Sequence, residues 1–302
     1  MTSPLISIGL PVVKCNFLKK SIECCLIQSY NNIEIIIQNN AKHQNTKSEI
    51  KELVALYSDS RIKYFETKEQ LPMVQNWNAT LEKANGEYFS LLCDDDFWEP
   101  TFLEEMINLT TKYPLANIFH SRVLIIDDYD NQIGLSPLCP EYESGLDFIY
   151  NRVLGFRRMF LSDFMLRTKS LVEIGGFFEI PDGWGSDDIT WMKMAMAGGV
   201  SYSSKELFSY RKSVINTSNN NNNKNKLKAI DIQIQEIRNI IANYSEDSTL
   251  IVALIKKKLL KYETTSKIPF LTQQLKTKYK FPAIVAKLVV YANAFLKLRK
   301  NN

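Results

Sequence analysis

Apolar residues in the first part of the chain fall into short β-branched runs separated by segments with helical periodicity. The runs ISIGLPVV (residues 6–13) and IEIIIQNN (33–40) are interrupted by a proline or closed by asparagines, which is typical of buried parallel strands. Between them, apolar side chains recur at helical spacing, at Phe17, Leu18, Ile22, Cys25 and Leu26. The pattern predicts a strand, a helix and a second strand.

The same alternation continues through the next fifty residues. SEIKELVALYS (48–58) places its apolar residues on one helical face, RIKYFET (61–67) is a predicted strand, and MVQNWNATLEKAN (73–85) is a predicted helix closed by Gly86. EYFSLLC (87–93) is a fourth predicted strand. Strands and helices that alternate at this density predict an α/β fold with a Rossmann-like, mostly parallel central sheet and right-handed crossovers.

Beyond the fourth predicted strand the hydrophobic periodicity is less regular, and it is then interrupted by a polar, Asn-rich segment. ANIFHSRVLIIDDYDNQIG (116–134) predicts two strands around a turn, and ITWMKMAMAGG (189–199) predicts a helix. NTSNNNNNKNK (216–226) has no apolar residue to pack, so we expect an Asn-rich loop or linker there. One domain is therefore expected over residues 1–215, followed after the linker by a basic helical extension over residues 227–302.

The composition is that of a soluble globular protein. Of 302 residues, 45% are hydrophobic and 23% are charged, and no run reaches the roughly 18 apolar residues that a membrane-spanning helix needs. The N-terminus lacks the basic start and the cleavage site of a signal peptide. Five cysteines without zinc-like spacing suit a reducing cytosol, so we expect a cytoplasmic protein. Two histidines are too few for a His-based metal cluster, and a Ser-His-Asp triad is not expected.

The formal net charge of +4 hides an uneven distribution. From Lys224 to the C-terminus there are 16 basic and five acidic residues, whereas the preceding part of the chain has 21 basic and 28 acidic residues. An acidic body joined to a basic tail indicates two parts with different roles.

The basic tail contains segments such as FPAIVAKLVVYANAFLKLRK (281–300), in which apolar and basic residues are mixed. A helix of this type can lie in the interface of an anionic membrane, here the inner face of the cell membrane. The alternatives are that these helices pack on the body or form a homodimer contact. Nucleic acid is not an expected partner, because no recognition fold accompanies the lysine run at 256–258.

Three consecutive aspartates, Asp94, Asp95 and Asp96, follow the fourth predicted strand in LLCDDDFWEP (91–100). Adjacent like charges repel one another, and this stretch contains no lysine or arginine to offset them. Ligands bind parallel α/β sheets outside the carboxyl ends of the strands, where Asn39 also lies after the second strand. A cation supplied from outside would resolve the repulsion, so the pattern indicates a cation site.

Ordered landmarks over the first two hundred or so residues resemble the family 2 glycosyltransferases, which have the GT-A fold. The landmarks are a strand ending at Pro11, QSYNNIEIII, NWNATLEKANGEYFSLLCDDDFWEP, EIGGF and GWGSDDITWMKMAMAGG. The resemblance implies an enzyme that moves a sugar from a nucleoside-diphosphate sugar, UDP-linked in particular, to an acceptor hydroxyl with Mn²⁺ or Mg²⁺ as cofactor. Richness in Asn, Lys and Ile suggests an AT-rich bacterial genome, and hence a glycan or lipid-linked glycan acceptor in surface polysaccharide synthesis.

The resemblance gives the aspartate triplet the place of a DXD-type metal motif. A divalent cation stabilises the charge that develops on a diphosphate leaving group, and hard cations prefer carboxylate oxygens. Asp95 or Asp96 is implied as the direct ligand, and Asp94 as a contact to the ribose or, through water, to the metal. Cys93 stands where relatives often have another aspartate. The alternative to a metal motif is that the aspartate triplet forms a solvated acidic turn.

The resemblance also implies a catalytic base in SDDITWMKMAMAG. An inverting transfer needs a group that takes the proton of the attacking hydroxyl. The match puts Asp187 at the base position and Asp188 second, because the usual glutamate of the motif is Ser186 here. Both aspartates also begin a predicted helix, where capping and the helix dipole are an alternative role. Trp184 and Gly185 would lie on the acceptor side.

The positions that face the nucleotide in relatives depart further from the family pattern. The resemblance implies nucleotide-sugar contacts at Pro11, Val12, Val13, Asn39, Asn76, Asn78, Asp94, Asp95 and Arg211. Asn39 replaces a base-contacting aspartate but can still pair with a pyrimidine edge. The alternatives are helix capping or a solvent-exposed position for the asparagines and a surface salt bridge for Arg211.

Two other classes of function stay open on the sequence alone. A nucleotidyltransferase shares the α/β architecture but needs a Gly-rich basic loop near the N-terminus, and GLPVVKCN is poor in both glycine and arginine. A non-catalytic sugar-nucleotide-binding or assembly module is compatible with the altered positions Asn39 and Cys93. Binding of a sugar nucleotide without turnover would favour that module.

Overall fold

Ten strands form a single sheet in the computed structural model of this chain, which describes residues 3–93, 96–213, 222–242, 244, 250–280 and 282–299. The strands are β1 (Ile6–Val12), β2 (Ile33–Asn39), β3 (Ile62–Glu66), β4 (Tyr88–Leu91), β5 (Phe97–Trp98), β6 (Ile118–Ile126), β7 (Gln132–Leu135), β8 (Tyr142–Glu143), β9 (Phe164–Arg167) and β10 (Val200–Arg211). The helices are α1 (Leu18–Leu26), α2 (Gln44–Ala55), α3 (Met73–Leu81), α4 (Phe102–Lys112), α5 (Gly145–Val153), α6 (Thr168–Glu173), α7 (Ser186–Gly198), α8 (Asn223–Ala242), α9 (Leu250–Tyr279) and α10 (Ala283–Arg299).

The sheet has the order β3-β2-β1-β4-β9-β6-β10-β5, with β7 beside β6 and β8 beside β10. β1 pairs in parallel with β2 and β4, β2 with β3, and β6 with β10. β9 runs antiparallel between β4 and β6 and joins the two parallel parts. The predicted α/β fold with a mostly parallel sheet and a helical C-terminal extension is confirmed.

The apolar patterning of the strands explains which layers form. β1 and β2 are buried on both faces, as their continuous β-branched runs predict. One hydrophobic cluster joins the sheet to α1, α2 and α4, and a second joins it to α3, α5 and α7. The second cluster also contains buried residues of the C-terminal helices, namely Ile230, Ile234, Ile237, Ile241, Val252, Ile255, Leu259 and Tyr262. α8 and α9 therefore pack on the body.

α8 begins at Asn223, inside the segment 216–226 that was expected to be a linker. Lys226 is buried there, and its ammonium group lies 4.7 Å from the ring centroid of Trp184. Residues 214–221 lie outside the described part of the chain. Among the described residues, no helix is both long enough and apolar enough to cross a membrane.

Candidate active site

The carboxyl ends of β1, β2 and β4 meet at one edge of the sheet. Val12 at the end of β1 is in register with Asn39 at the end of β2, and Leu91 of β4 pairs with Gly9 of β1. The aspartate triplet follows directly after β4. Asp94 and Asp95 lie outside the described residues, so the structure places Asp96 alone of the three.

Asp96 is buried and fixed by hydrogen bonds from two directions. Ser162 Oγ donates to Asp96 Oδ2 at 2.7 Å, and the backbone N–H of Arg211 donates to Asp96 Oδ1 at 3.3 Å. The amide N–H of Cys93 donates to the same Ser162 hydroxyl at 3.0 Å. Ser162 thus bridges the two residues that flank Asp94 and Asp95. It was missed by sequence reasoning, because it lies in a 3₁₀ turn about seventy residues away along the chain.

The chemistry of this edge fits a hard divalent cation. Asp96 contributes carboxylate oxygens to this edge, and these are the ligands that hard divalent cations prefer. In the described part of the chain, no three His, Cys, Asp or Glu side chains are grouped as a complete metal site. A cation held here would take further oxygen ligands from a phosphate or from water.

Asp188, near the start of α7, is held in a buried ion pair. Arg152 of α5 donates to it through both arms of its guanidinium, Nε to Oδ1 at 3.0 Å and Nη2 to Oδ2 at 2.6 Å. Gln233 of α8 donates a third bond, from Nε2 to Asp188 Oδ2 at 2.9 Å. These three donors engage both carboxylate oxygens of Asp188 within the chain, so this side chain is less accessible to an acceptor hydroxyl than a partly exposed carboxylate.

Asp187, the neighbouring residue, differs from Asp188 in its surroundings. It is partly exposed and forms no salt bridge within the described part of the chain. Desolvation, followed by the negative charge of Asp188, raises the pKa of Asp187 to about 7, although Arg152 and the backbone N–H groups at the start of α7 act in the opposite direction. A carboxyl with a pKa near neutrality is suited to accept a proton during a reaction.

The loop before α7 is positioned by the C-terminal helices. Gly185 is the N-cap of α7 and has φ of +81°, a left-handed conformation that favours glycine, and a Cβ there would lie 3.0 Å from the side chain of Gln233. The ring of Trp184 packs edge-on against Phe270 of α9 at 5.2 Å between centroids. The two predicted acceptor-side residues are thus brought next to Asp187 and are backed by α8 and α9.

The asparagines at the end of β2 are committed to bonds within the chain. Asn39 is fully buried, donates to the carbonyl of Lys47 at 3.0 Å and to Tyr64 Oη at 2.8 Å, and accepts from the N–H of Ala41. The Asn40 side chain donates a hydrogen bond to the carbonyl of Leu71 and accepts one from the N–H of the same residue. Both N–H groups of the Asn39 amide are thus already donated, so a nucleobase contact through them would have to replace one of these bonds.

Asn76 and Asn78, both on α3, face the interior. Asn78 forms two hydrogen bonds with the backbone of Phe177, at 3.0 Å to the carbonyl and 2.8 Å from the N–H. It therefore fixes the EIGGF segment beside α3. Asn76 is buried, and its Oδ1 atom has no hydrogen-bond partner among the described residues. An unsatisfied buried acceptor is unfavourable, so Asn76 is the asparagine on α3 that retains capacity to accept a bond.

The other predicted nucleotide contacts lie at the ends of β1 and β10. Val12 is buried, Pro11 is partly buried, and Val13 is exposed beyond the strand end. Arg211 is buried, and its guanidinium donates to the carbonyl of Asp127 at 2.7 Å and to Asp130 Oδ1 at 2.5 Å. Arg211 thus forms a salt bridge with Asp130 of the β6–β7 turn in which the arginine is buried, unlike the surface salt bridge that was the alternative.

Comparisons with known proteins identify the family of this chain. The family model described as glycosyl transferase family 2 matches residues 7–176, more than half of the chain. An uncharacterized glycosyltransferase of Rickettsia felis is 36% identical over 110 residues, which are 36% of this chain and 18% of that protein. The chain spans less than two thirds of the length of the curated relatives it matches, such as 53% of a Haemophilus influenzae glycosyltransferase.

Two solved structures share the fold across nearly the whole chain. S. aureus TarS 1-349 in complex with UDP-GlcNAc has a TM-score of 0.67 at 13% identity, with 98% of this chain and 92% of that chain covered. The mannosyltransferase PcManGT from Pyrobaculum calidifontis, in complex with GDP-Man and Mn²⁺, has a TM-score of 0.56 at 16% identity, with 98% and 81% covered. At these identities the likeness shows the fold alone.

Proposed function

This chain belongs to glycosyl transferase family 2, and we propose that it is an inverting, metal-dependent glycosyltransferase in which Asp187 is the catalytic base. The contrast between two adjacent aspartates carries the proposal. Asp188 is held by the guanidinium of Arg152 and the side-chain amide of Gln233, whereas Asp187 is partly exposed and has a raised pKa. A partly exposed carboxyl with a pKa near neutrality is suited to acid–base catalysis, whereas a carboxylate engaged by several donors is suited to a supporting role.

In the proposed reaction, an acceptor hydroxyl attacks the anomeric carbon of the donor sugar. The new bond joins the hydroxyl oxygen to this carbon while the bond from the carbon to the diphosphate oxygen breaks, so the configuration inverts. The hydroxyl proton passes to the carboxylate of Asp187, and a nucleoside diphosphate leaves. The Asp188–Arg152 pair keeps Asp187 at the N-terminus of α7 and sets the charge beside it.

Asp94, Asp95 and Asp96 would hold a divalent cation, Mn²⁺ or Mg²⁺, at the sheet edge. When bound, the cation supplies positive charge that stabilises the departing diphosphate. Ser162 keeps the Asp96 carboxylate in place for this role, because it is bonded to both Asp96 and the N–H of Cys93. The support comes from the oxygen-only donor set at a strand end.

For the donor we propose a UDP-linked sugar, bound over β1 and β2 near Val13 and Asn39, with contributions from Pro11, Val12, Asn76, Asn78 and Arg211. The structure supports these contacts unequally, since Val13 is exposed and Asn76 Oδ1 is unsatisfied, whereas Asn39, Asn78 and Arg211 are bonded internally. For the acceptor we propose a glycan or lipid-linked glycan of bacterial surface polysaccharide, reached from the side of Trp184 and Gly185 in the cytoplasm.

The proposal is tested with a nucleotide-sugar screen and two single variants. Thermal shift with Mn²⁺ present, using UDP-GlcNAc, UDP-glucose and GDP-mannose as probes, identifies a donor because a bound ligand raises the melting temperature. Asp187→Asn is expected to keep donor binding by calorimetry and to lose nucleoside-diphosphate release by about 10²–10⁴-fold. A chain that binds a donor but shows no Mn²⁺-dependent release in the unchanged protein would be a non-catalytic module instead.

A further inference from the structure

α10 carries a stripe of large apolar side chains that face solvent. Ile284, Leu288, Tyr291 and Phe295 are 71%, 65%, 49% and 64% exposed. Their spacing of four, three and four residues places them within one narrow face of the helix. The opposite side of α10 supplies the packing contact with α9, where Ala286 and Val290 are buried.

Scattered exposed apolar residues are normal on a protein surface, but a continuous stripe of four marks a surface that another apolar phase covers. A groove of 620 Å³ between α9 and α10 is lined by Leu271 and Val289 among others, and its α10 residues lie on the side of the helix opposite the stripe.

The charge around this surface is strongly one-sided. Residues 250–302 contain 12 lysines and arginines and a single acidic residue, Glu263. On the described surface, Lys257, Lys276 and Lys287 are exposed, and Lys278 lies at the rim of the groove. A second copy of this chain would bring two basic surfaces together, whereas an anionic lipid surface offers both an apolar phase and the opposite charge.

We propose that α10 docks on an anionic lipid bilayer through the stripe Ile284, Leu288, Tyr291 and Phe295. At 17 residues and about 26 Å, α10 lies in the plane of the interface, with its apolar side chains among the acyl chains and its lysines at the headgroups. The inference does not rest on the proposed transfer reaction, because the binding is a property of the tail and needs neither donor nor acceptor.

Vesicle sedimentation with the full chain tests this proposal. The protein is expected to bind vesicles that contain phosphatidylglycerol, to bind pure phosphatidylcholine vesicles far less, and to be released by high salt. The double variant Leu288→Ala/Phe295→Ala is expected to lower the partition coefficient by at least about tenfold. Alanine is the best helix former, so α10 is preserved, and circular dichroism should show unchanged helix content.

A matched control removes two exposed leucines of the body instead. Leu56 and Leu115 are 77% and 81% exposed, and Leu56→Ala/Leu115→Ala should bind the vesicles as the unchanged protein does. Lys257→Glu/Lys287→Glu should weaken binding and reduce its salt dependence. The proposal is overturned if the unchanged protein stays in the supernatant with anionic vesicles, or if the control variant loses as much binding as the stripe variant. It is equally overturned if light scattering shows a dimer that the stripe variant breaks, while vesicles bind neither protein.

Discussion

Gln233 Nε2 donates a hydrogen bond to Asp188 Oδ2 at 2.9 Å, so a helix of the C-terminal extension contacts a carboxylate beside the proposed base. The family match ends at residue 176, before either residue. Lys193 of α7 also pairs with Glu236 of α8 at 2.8 Å. The basic tail is therefore a structural part of the candidate active site, and its first helix is not a separate module.

The first prediction concerns the pH dependence of transfer. Because the pKa of Asp187 is raised to about 7 and the reaction needs the ionised carboxylate, kcat/KM should fall as the pH drops through neutrality. Steady-state rates measured with the identified donor across the pH range would show this decline of kcat/KM on the acid side. Donor binding, measured by calorimetry over the same pH range, is the control. The assignment would be contradicted if kcat/KM stayed constant down to the pH range of ordinary carboxyl pKa values.

The second prediction concerns two variants that should move the acid limb, the part of the pH profile in which kcat/KM falls towards low pH, in opposite directions. The negative charge of Asp188 raises the pKa of Asp187 and the positive charge of Arg152 lowers it. Asp188→Asn should therefore move the acid limb to lower pH, and Arg152→Met should move it to higher pH. A purely structural role for the pair would reduce the rate without moving the limb, so equal pH profiles in both variants would disprove the coupling.

The third prediction isolates the contribution of α8. Gln233→Leu removes one donor to Asp188, so that one hydrogen bond to its carboxylate is lost, but keeps a side chain of similar size beside Gly185. We expect a loss of about threefold to tenfold in kcat, on the scale of one hydrogen bond, with KM for the donor little changed. Gln235→Leu is the matched control, because Gln235 lies on the same helix and bonds to Asn239. Equal losses in the two variants would mean that α8 acts only through stability.

Much of the fold could be predicted from the chain because its first half is locally consistent. β-branched runs, amphipathic helices and Gly86 or Asn pairs at element ends all indicated the same α/β alternation. β9 was not predicted, since Phe164–Arg167 has only four residues and no alternation, and its antiparallel position between β4 and β6 depends on long-range pairing. α8 starts earlier than expected because Lys226 packs on Trp184, a contact that no local pattern reveals.

The candidate site also contains some residues that local sequence features indicate and others that only long-range contacts bring together. Asp187, Asp188 and the aspartate triplet follow from motif order, because their positions relative to strand ends and helix starts are local features. Their partners Ser162, Arg152 and Gln233 come from distant segments, and no spacing along the chain points to them. The internal hydrogen bonds of Asn39 and Asn78 could not be predicted either. In a sequence, an asparagine that bonds to the backbone cannot be distinguished from one that binds a ligand.

The fourth prediction concerns Ser162. Ser162→Ala removes the donor to Asp96 and the acceptor for the N–H of Cys93, so the Asp96 carboxylate is held less firmly. We expect the apparent affinity for Mn²⁺, from activity or from thermal shift with donor, to fall by about 10–100-fold. Ser170→Ala is the control, because this hydroxyl bonds to Asn117 on another part of the protein. An unchanged Mn²⁺ titration in Ser162→Ala would show that the triplet does not depend on this bridge.

The last prediction tests whether α8 stabilises the body. Ile237 is fully buried in the cluster that also contains Trp191 of α7 and Phe148 of α5. Ile237→Ala should lower the free energy of unfolding by about 2–5 kcal/mol, because the lost apolar contacts leave a cavity in a close-packed interface. Ile284→Ala removes the same groups from an exposed position on α10 and should change it by less than about 0.5 kcal/mol. Urea unfolding followed by tryptophan fluorescence reports on the body, where the tryptophans lie. If Ile237→Ala left that transition unchanged, α8 would be an appended helix, and the contact between Gln233 and Asp188 could not hold the candidate site together.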